Sequence, residues 1–430
     1  MSSAIAVLLA CLTVGVNFSF WAVVGVMRLA TTTLSSGSRG RKAKSQIGVH
    51  EVAVVIPAHN EELAISKCIG ALRAVVPVEQ VFVGSDGSRD RTVELARATG
   101  CNVLDIQPNG GKARAIQTVI DQNRLLERFK VVLIQDADSE IDPDYLTRGL
   151  PLFDDPRVVV VAGHVRSRWP QARGMTALIA AYRTRLYLLV QAAYKYAQTW
   201  GRINVAYIAP GFCSMYRTSV LSKIDITAPG LIIEDFNMTF EVQRKRLGRI
   251  AYTPRAMCST EDPLSLRDYR KQCVRWYMGL WQTVMHHGFW PSRFWLSFGA
   301  LMGEAVLFGV MQTATLVFLL LYGLELVGVL PAGASQLFGV SPLELVLIFL
   351  ALDYAMTVAA AVIERRPSLL LYGIGFPLMR LLDIWLFCVS LPKAILIVSD
   401  GTWKSPTRSA DRPADVRSPG LTARKGEALR

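Results

Sequence analysis

The sequence predicts an α/β fold with a doubly wound, mostly parallel β-sheet, joined to α-helical transmembrane segments. Short β-branched runs alternate with helical patterns over residues 52–135, and long apolar runs stand on both sides of the polar region. Such alternation builds βαβ units whose ligand crevice lies at the carboxyl ends of the strands. The predicted elements are strands at 52–56, 81–83, 102–106 and 131–135, and helices at 61–72, 90–99, 111–123, 175–196 and 239–247.

Three apolar runs are long enough to cross a bilayer, which takes about 20 residues. They are 4–27, which has no charged side chain, 294–330 and 343–362. A cleaved signal peptide is the alternative for the first run, but it lacks a basic leading segment and exceeds the usual apolar core, so an anchor is favoured. A fourth run, 369–398, carries Arg380, Asp383 and Lys393, which leaves its depth open.

Basic residues follow the first run, with no acidic residue until Glu51. By the positive-inside rule the polar region is cytosolic, as in a multi-pass protein of the plasma (inner) membrane. Three crossings after residue 304 put the tail outside. Positive-inside counting prefers the tail in the cytosol, because the segment after Asp400 has seven Lys/Arg and three acidic residues. Either the 369–398 run does not cross fully, or the positive-inside rule does not hold for this tail, and we favour the second.

The chain therefore divides into six predicted parts. Leu266 opens a helix with apolar residues at helical spacing and arginines largely elsewhere, which is typical of a helix in the headgroup plane. The parts are a transmembrane anchor (1–28), a basic juxtamembrane linker (29–50), a cytosolic α/β domain (51–265), interfacial amphipathic helices (266–303), C-terminal transmembrane helices (304–398) and a flexible basic tail (399–430).

Composition excludes several classes of protein. The seven cysteines include no C-x-x-C pair, which argues against a disulfide framework and a zinc site. The net charge of +13 is spread through juxtamembrane segments and the tail, so no nucleic-acid partner is expected. Anionic lipid headgroups and nucleotide phosphates are simpler partners for this charge.

Acidic side chains follow the predicted strands. Asp136 and Asp138 stand two apart, so in an extended segment they face the same side and suit a hard divalent cation shared with phosphates. A solvated pair in a loop is the alternative. Asp86 follows another strand, where an acid can bind ribose hydroxyls or a base, although Asp-Gly-Ser is also a common turn.

Two further motifs offer phosphate binding and acid–base chemistry. Gly110-Gly111-Lys112 opens a predicted helix, so its N-terminus and the lysine can hold a phosphate; a helix cap with a solvated lysine is the alternative. Glu234 and Asp235 follow an apolar run. One of these carboxylates suits a base that deprotonates a sugar hydroxyl.

Gln272, Arg275 and Trp276 lie three and four apart on the amphipathic helix and share a face. The arginine and glutamine suit a diphosphate, and the indole ring suits a sugar. On periodicity alone, a membrane-anchoring helix is the better interpretation.

Together and in this order, these motifs resemble the processive, inverting family 2 glycosyltransferases: poly-N-acetylglucosamine, chitin, hyaluronan and cellulose synthases. The resemblance covers about residues 52–281, with Gln272-x-x-Arg275-Trp276 as its most specific motif. It implies a GT-A-like domain that transfers sugar from a UDP-sugar, with UDP-N-acetylglucosamine favoured, to a growing glycan, using Mg2+ or Mn2+. An accessory subunit is left open.

The resemblance also implies a role for each matching residue. The catalytic residues are Asp235, as base, with Glu234 beside it, and the metal ligands are Asp136 and Asp138. The residues implied to bind the nucleotide sugar are Pro57, Glu61, Asp86, Lys112 and Asp136. Those implied to hold the diphosphate or acceptor are Gly211, Phe212, Cys213, Gln272, Arg275 and Trp276.

The chain departs from the common pattern at Ile233, where many relatives have threonine, and at Cys273-Val274, where Arg-x is commoner. Neither change removes a charged catalytic group, so activity is still expected. The alternatives are a non-processive transferase with a lipid-linked acceptor and a silent nucleotide-sugar-binding membrane protein. The Gln272-x-x-Arg275-Trp276 motif, called the tryptophan motif below, argues against the first alternative. The intact carboxylates of Asp138 and Asp235 argue against the second.

Overall fold

The computed structural model describes residues 15–36, 45–170, 172–201, 203–331, 333–335 and 341–397. The predicted tail and the start of the predicted first span lie outside the described residues, as does part of the predicted basic linker.

A sheet of eight strands forms the centre of the polar domain. The order across the sheet is β3-β2-β1-β4-β7-β6-β8-β5. The strands are β1 (Val52–Ala58), β2 (Val81–Asp86), β3 (Asn102–Ile106), β4 (Val131–Ile134), β5 (Glu140–Ile141), β6 (Val158–Ser167), β7 (Ser214–Arg217) and β8 (Arg249–Thr260).

The four predicted strands β1 to β4 are confirmed and are parallel to one another. The complete sheet is mixed, however, because β7 is antiparallel to both β4 and β6, and β5 is antiparallel to β8. Ser214 at the start of β7 pairs with Ile134 at the end of β4. A strand that enters from the carboxyl edge of its neighbour must run in the opposite direction.

Helices cover both faces of the sheet, as a doubly wound domain requires. Helix α1 (Val16–Ser36) precedes the sheet. The helices from residue 65 to residue 287 are α2 (Ile65–Arg73), α3 (Thr92–Ala98), α4 (Lys112–Gln122), α5 (Leu125–Arg128), α6 (Tyr145–Gly149), α7 (Met175–Leu189), α8 (Tyr196–Gln198), α9 (Thr218–Leu221), α10 (Glu234–Arg244) and α11 (Leu266–His287). The apolar side chains of α2 pack on one face and those of α4 on the other.

Two of these helices differ from the sequence predictions. The predicted helix at 175–196 contains a π-turn at Val190–Lys195 between α7 and α8. The helix predicted at 239–247 begins earlier, because Ile233 is extended and Glu234 and Asp235 form the first turn of α10. Acidic residues are favoured at a helix N-terminus, so this first turn is a stable place for both carboxylates.

Four more helices follow: α12 (Arg293–Leu326), α13 (Pro342–Ile363), α14 (Ser368–Gly373) and α15 (Phe376–Leu396). Among the described residues, α12 and α13 are long and apolar enough to cross a membrane. Only 6% and 22% of their most apolar windows are buried, so most of this apolar surface is not covered by other described residues. Helix α12 runs without a break through the predicted boundary at residue 304.

Helix α11 joins the polar domain to the apolar helices. Gly279 on α11 lies against Ile233, where a methyl group on the glycine would be 2.8–2.9 Å from three carbon atoms of the isoleucine side chain. On another side, α11 packs along α15, where the ring centroids of Trp281 and Phe387 are 5.0 Å apart. The residue that precedes Glu234 is therefore held by α11.

We predict that Gly279→Ala destabilises the protein by about 1–3 kcal/mol, because the added methyl group overpacks the contact with Ile233. Gly70 in α2 is the matched control, because an added methyl group there would have no neighbour within 4 Å. Gly70→Ala should be neutral or stabilise by about 0.5–1 kcal/mol through helix propensity. Thermal unfolding in detergent measures both, and an unchanged midpoint for Gly279→Ala would contradict the packing argument.

Candidate active site

A cavity of about 660 Å³ extends from the carboxyl ends of the strands to the apolar helices. It brings together the three motifs on which the sequence prediction depended, because Asp138, Asp235 and Arg275 all line it. The predicted site residues in its wall are Glu61, Lys112, Asp136, Asp138, Gly211, Phe212, Glu234, Asp235, Gln272, Arg275 and Trp276.

Lys112 lies at the centre of the polar end of the cavity. Its Nζ is 2.7 Å from Asp136 Oδ1 and 2.9 Å from Glu234 Oε1, and it donates to the Gly211 carbonyl oxygen at 3.2 Å. Burial lowers the pKa of Lys112, but the two carboxylates outweigh it and raise that pKa above its ordinary value. The lysine is therefore a fixed positive charge that connects three segments of the chain.

Asp235 is held in a defined orientation by backbone amides. Gly211 N–H donates to Oδ2 at 2.9 Å and Phe236 N–H donates to Oδ1 at 2.7 Å. Burial and the negative charge of Glu234 raise the pKa of Asp235 to about 7, even though Lys112 and the two amides lower it. A carboxylate with this pKa can accept a proton near neutral pH, as a general base must.

Gly211 has to be glycine for this arrangement. A methyl group there would be 2.8 Å from Glu234 Oε1 and 3.2 Å from both Asp235 Cβ and Lys112 Nζ. The backbone approaches the charged groups so closely that any larger side chain would displace them.

Asp136 and Asp138 follow β4, as predicted, and both face the cavity. Burial, together with the negative charges of Asp138 and Glu234, raises the pKa of Asp136 to about 6, although Lys112 lowers it. A cation would relieve this repulsion. In the described part of the chain no group of three or more His, Cys, Asp or Glu could hold a metal ion. Two carboxylates still suit an ion that takes its other ligands from substrate phosphates and water.

Three predicted residues lie behind the cavity wall. Asp86 is fully buried, and its carboxylate accepts from Gly110 N–H at 2.9 Å and Gly111 N–H at 2.6 Å, so it shapes the loop before Lys112. Pro57 is buried within β1. Cys213 is buried at φ 50°, and its carbonyl oxygen accepts from the Tyr145 hydroxyl. Their predicted contacts with substrate stay predictions.

The structure adds cavity residues that sequence reasoning missed. Lys195 in the π-turn is buried and donates to the Gly163 carbonyl oxygen at 3.3 Å, and burial lowers its pKa to about 8. Arg185 on α7 lines the cavity and pairs with Asp353 on α13 at 2.7 Å. The signal that could have found them is the presence of cations inside an otherwise apolar helical run.

The far end of the cavity reaches the helices that could cross a membrane. Its lining there includes Glu304 and Phe308 on α12, Asp353 on α13, and Arg380 and Asp383 on α15. Arg380 is 3.4 Å from the same carboxylate that pairs with Arg185. Charged groups in an otherwise apolar wall are costly unless they pair with one another, as Asp353 does with both arginines.

Comparisons with known proteins agree with this geometry. Poly-β-1,6-N-acetyl-D-glucosamine synthase of Staphylococcus aureus (strain COL) is 26% identical over 256 residues, 57% of this chain and 59% of the relative. Hyaluronan synthase of Streptococcus pyogenes is 26% identical over 244 residues, 53% and 56% of the two chains. The chain thus matches less than two thirds of the length of these relatives.

A solved structure also shares the fold. A mannosyltransferase from Pyrobaculum calidifontis, solved with GDP-Man and Mn2+, superposes with a TM-score of 0.52 at 16% identity, over 90% of this chain and 98% of that chain. The predicted GT-A-like fold is thereby confirmed. Residues 50–279, more than half of the chain, match the family described as "Glycosyltransferase like family 2". The protein belongs to this family of glycosyltransferases.

Proposed function

We propose that this protein is a membrane-embedded, processive β-glycosyltransferase that transfers N-acetylglucosamine from UDP-N-acetylglucosamine to a growing polysaccharide. The observation that carries the proposal is the continuous cavity that joins Asp235 to the helices that could cross a membrane. The donor and the polymer are supported by similarity to a poly-β-1,6-N-acetyl-D-glucosamine synthase. Export of the product through the same helices is part of the proposal.

Inverting transfer requires one base and a good leaving group. Asp235 accepts the proton of an acceptor hydroxyl as its oxygen bonds to the anomeric carbon and the bond to the diphosphate oxygen breaks. UDP leaves with the electron pair of that bond. A second, protonated carboxylate, as glycoside hydrolysis requires, is not needed.

The remaining groups bind the negative charge of the donor. Lys112, at the N-terminus of α4, and Arg275, on α11, are the cations of this end of the cavity that suit the diphosphate. Asp136 and Asp138 would hold Mg2+ or Mn2+, which neutralises charge on the leaving diphosphate. The ring of Trp276 suits stacking on the acceptor sugar.

Purified protein supplied with a panel of nucleotide sugars and a divalent cation should release UDP from UDP-N-acetylglucosamine and form an N-acetylglucosamine polymer. Asp235→Asn should reduce UDP release by at least about a hundredfold, since a positioned base contributes roughly 10²–10⁴-fold. For the parent, kcat/KM should fall about tenfold per pH unit below about pH 7, because protonation of Asp235 removes the base. Product analysis by mass spectrometry and coupled UDP assays measure these outcomes.

Several results would contradict the proposal. Unchanged UDP release by Asp235→Asn would exclude this base, and an isolated single transfer to lipid would indicate the non-processive alternative. Binding of the donor without any turnover would indicate the silent alternative.

We predict that activity is lost in EDTA and restored by Mg2+ or Mn2+. Asp138→Asn should raise the metal concentration for half-maximal activity by about tenfold or more, because it removes one of two carboxylate ligands. Asp144→Asn is the matched control, since Asp144 is exposed and pairs with Arg148. Full activity in EDTA, or equal metal dependence of the two variants, would exclude this metal site.

We further propose that the membrane is crossed by α1, α12 and α13, and that α15 lies at the cytosolic surface beside α11. Trp281 Nε1 donates to the Phe387 carbonyl oxygen at 3.4 Å, and Gln282 Nε2 donates to the Ile397 carbonyl oxygen at 3.1 Å. Gln282 Oε1 accepts from Ile232 N–H, two residues before Glu234, at 3.2 Å. One side chain thus bridges Ile397 to the catalytic domain.

This topology replaces the external tail that we expected from three crossings after residue 304. With α15 beside α11, Ile397 lies on the cytosolic side, which is the side that positive-inside counting prefers for the basic residues that follow it in the sequence.

A cysteine introduced by Ser409→Cys should therefore react with a membrane-impermeant maleimide only after cells are permeabilised. Ala334→Cys, at an exposed position between α12 and α13, is the matched control and should react in intact cells. The parent chain supplies the background from its own cysteines. Labelling of Ser409→Cys in intact cells would show that α15 crosses the membrane.

A further inference from the structure

Arg183 on α7 is a buried cation that forms no ion pair within the described residues. Its exposed fraction is 1%, and no carboxylate oxygen lies within 4.0 Å of it in the described part of the chain. Burying a charge without a contact ion pair is costly, so the groups that surround the guanidinium have to stabilise it. Both of its side-chain hydrogen bonds in the described part of the chain are with α11.

The guanidinium is held between aromatic rings of α11. Its central carbon is 4.6 Å from the Tyr269 ring centroid and 4.4 Å from that of Trp276. Nη2 donates to Gln272 Oε1 at 3.0 Å and lies 3.2 Å from Cys273 Sγ. Cation–π attraction to two desolvated rings and a hydrogen bond to an amide oxygen stabilise the guanidinium in place of a contact ion pair. The carboxylates of Asp383 and Asp262 attract it from beyond ion-pair distance.

This contact determines which way the Gln272 amide points. A guanidinium carries donors only, so Gln272 must turn its oxygen towards Arg183. The amide NH2 group is then available to the cavity, whose wall includes Gln272. An NH2 group can donate to a diphosphate oxygen, whereas a flipped amide would present an oxygen that repels it.

Trp276 is constrained by the same group. One face of its ring is occupied by Arg183 at 4.4 Å, while the residue also lines the cavity. Arg183 itself does not line the cavity, so it can act there only through the residues that it touches.

We propose that Arg183 is a positioning residue that orients Gln272 and Trp276 for the donor diphosphate and the acceptor sugar. This inference rests on the proposed function, because it assigns Gln272 as a donor to the diphosphate of the bound nucleotide sugar. The tryptophan motif on α11 is thus completed by an arginine from a separate helix. Nothing in the local sequence of α11 encodes this contact.

A double-mutant cycle tests the proposal with Arg183→Met, Gln272→Met and the double variant. Each single change should raise the KM for the donor and the inhibition constant of UDP by about tenfold, the effect of losing one hydrogen bond to a charged group, with a smaller change in kcat. If Arg183 acts through Gln272, the double variant should be within about twofold of Gln272→Met. A purely structural role would not give this non-additive effect on UDP inhibition.

Arg173→Met is the matched control, because Arg173 is exposed just before α7 and its removal should leave the donor KM unchanged. If Arg183→Met does not fold, the cycle is run with Arg183→Lys, which keeps the charge but loses the fork of donors. Multiplicative effects in the cycle, or an unchanged donor KM in the folded Arg183 variant, would overturn the inference. Failure of the parent chain to transfer sugar in the same assay would instead overturn the proposed function.

Discussion

The site depends on one partly buried ion-pair arrangement, in which Lys112 lies between Asp136 and Glu234. These residues come from the start of α4, the segment after β4 and the first turn of α10, so the lysine ties together three elements that are distant in sequence. The carboxylates of Asp136 and Glu234 repel each other unless a cation lies between them, and Lys112 is that cation. Because Asp235 is next to Glu234, it is positioned in the cavity, where the backbone N–H of Gly211 donates to its carboxylate.

A second constraint connects this charged centre to the apolar helices. Gly279 lets α11 approach Ile233 closely, and Gln282 on the same helix bonds to Ile232 and Ile397. The acids of α10 and the tryptophan motif of α11 are therefore parts of one packed unit. In the proposed function, this unit places the site of sugar transfer directly at the opening of the path between the membrane helices.

Much of the α/β domain could be predicted, because its elements have strong local signals. Strands β1 to β4 are buried β-branched runs, and α2 and α4 have clear helical periodicity. The boundary of α10 was harder, since Ile233 is apolar and extended while the two acids after it already belong to the helix. Strand β7 was not recognised, because it is only four residues long and its direction depends on the neighbour with which it pairs.

The sequence by itself determined the chemistry available to this protein: carboxylates at strand ends, a lysine at a helix start and a Gln-Arg-Trp face on an amphipathic helix. Each of these features is recognised from a short local stretch of sequence. Only the tertiary structure decided which of them meet. In the folded chain, Asp86 lies behind the cavity wall, Arg183 of α7 lies over the Trp276 ring, and α15 packs beside α11. Contacts between residues about 90 or more positions apart depend on packing and charge compensation across elements, which no local pattern records.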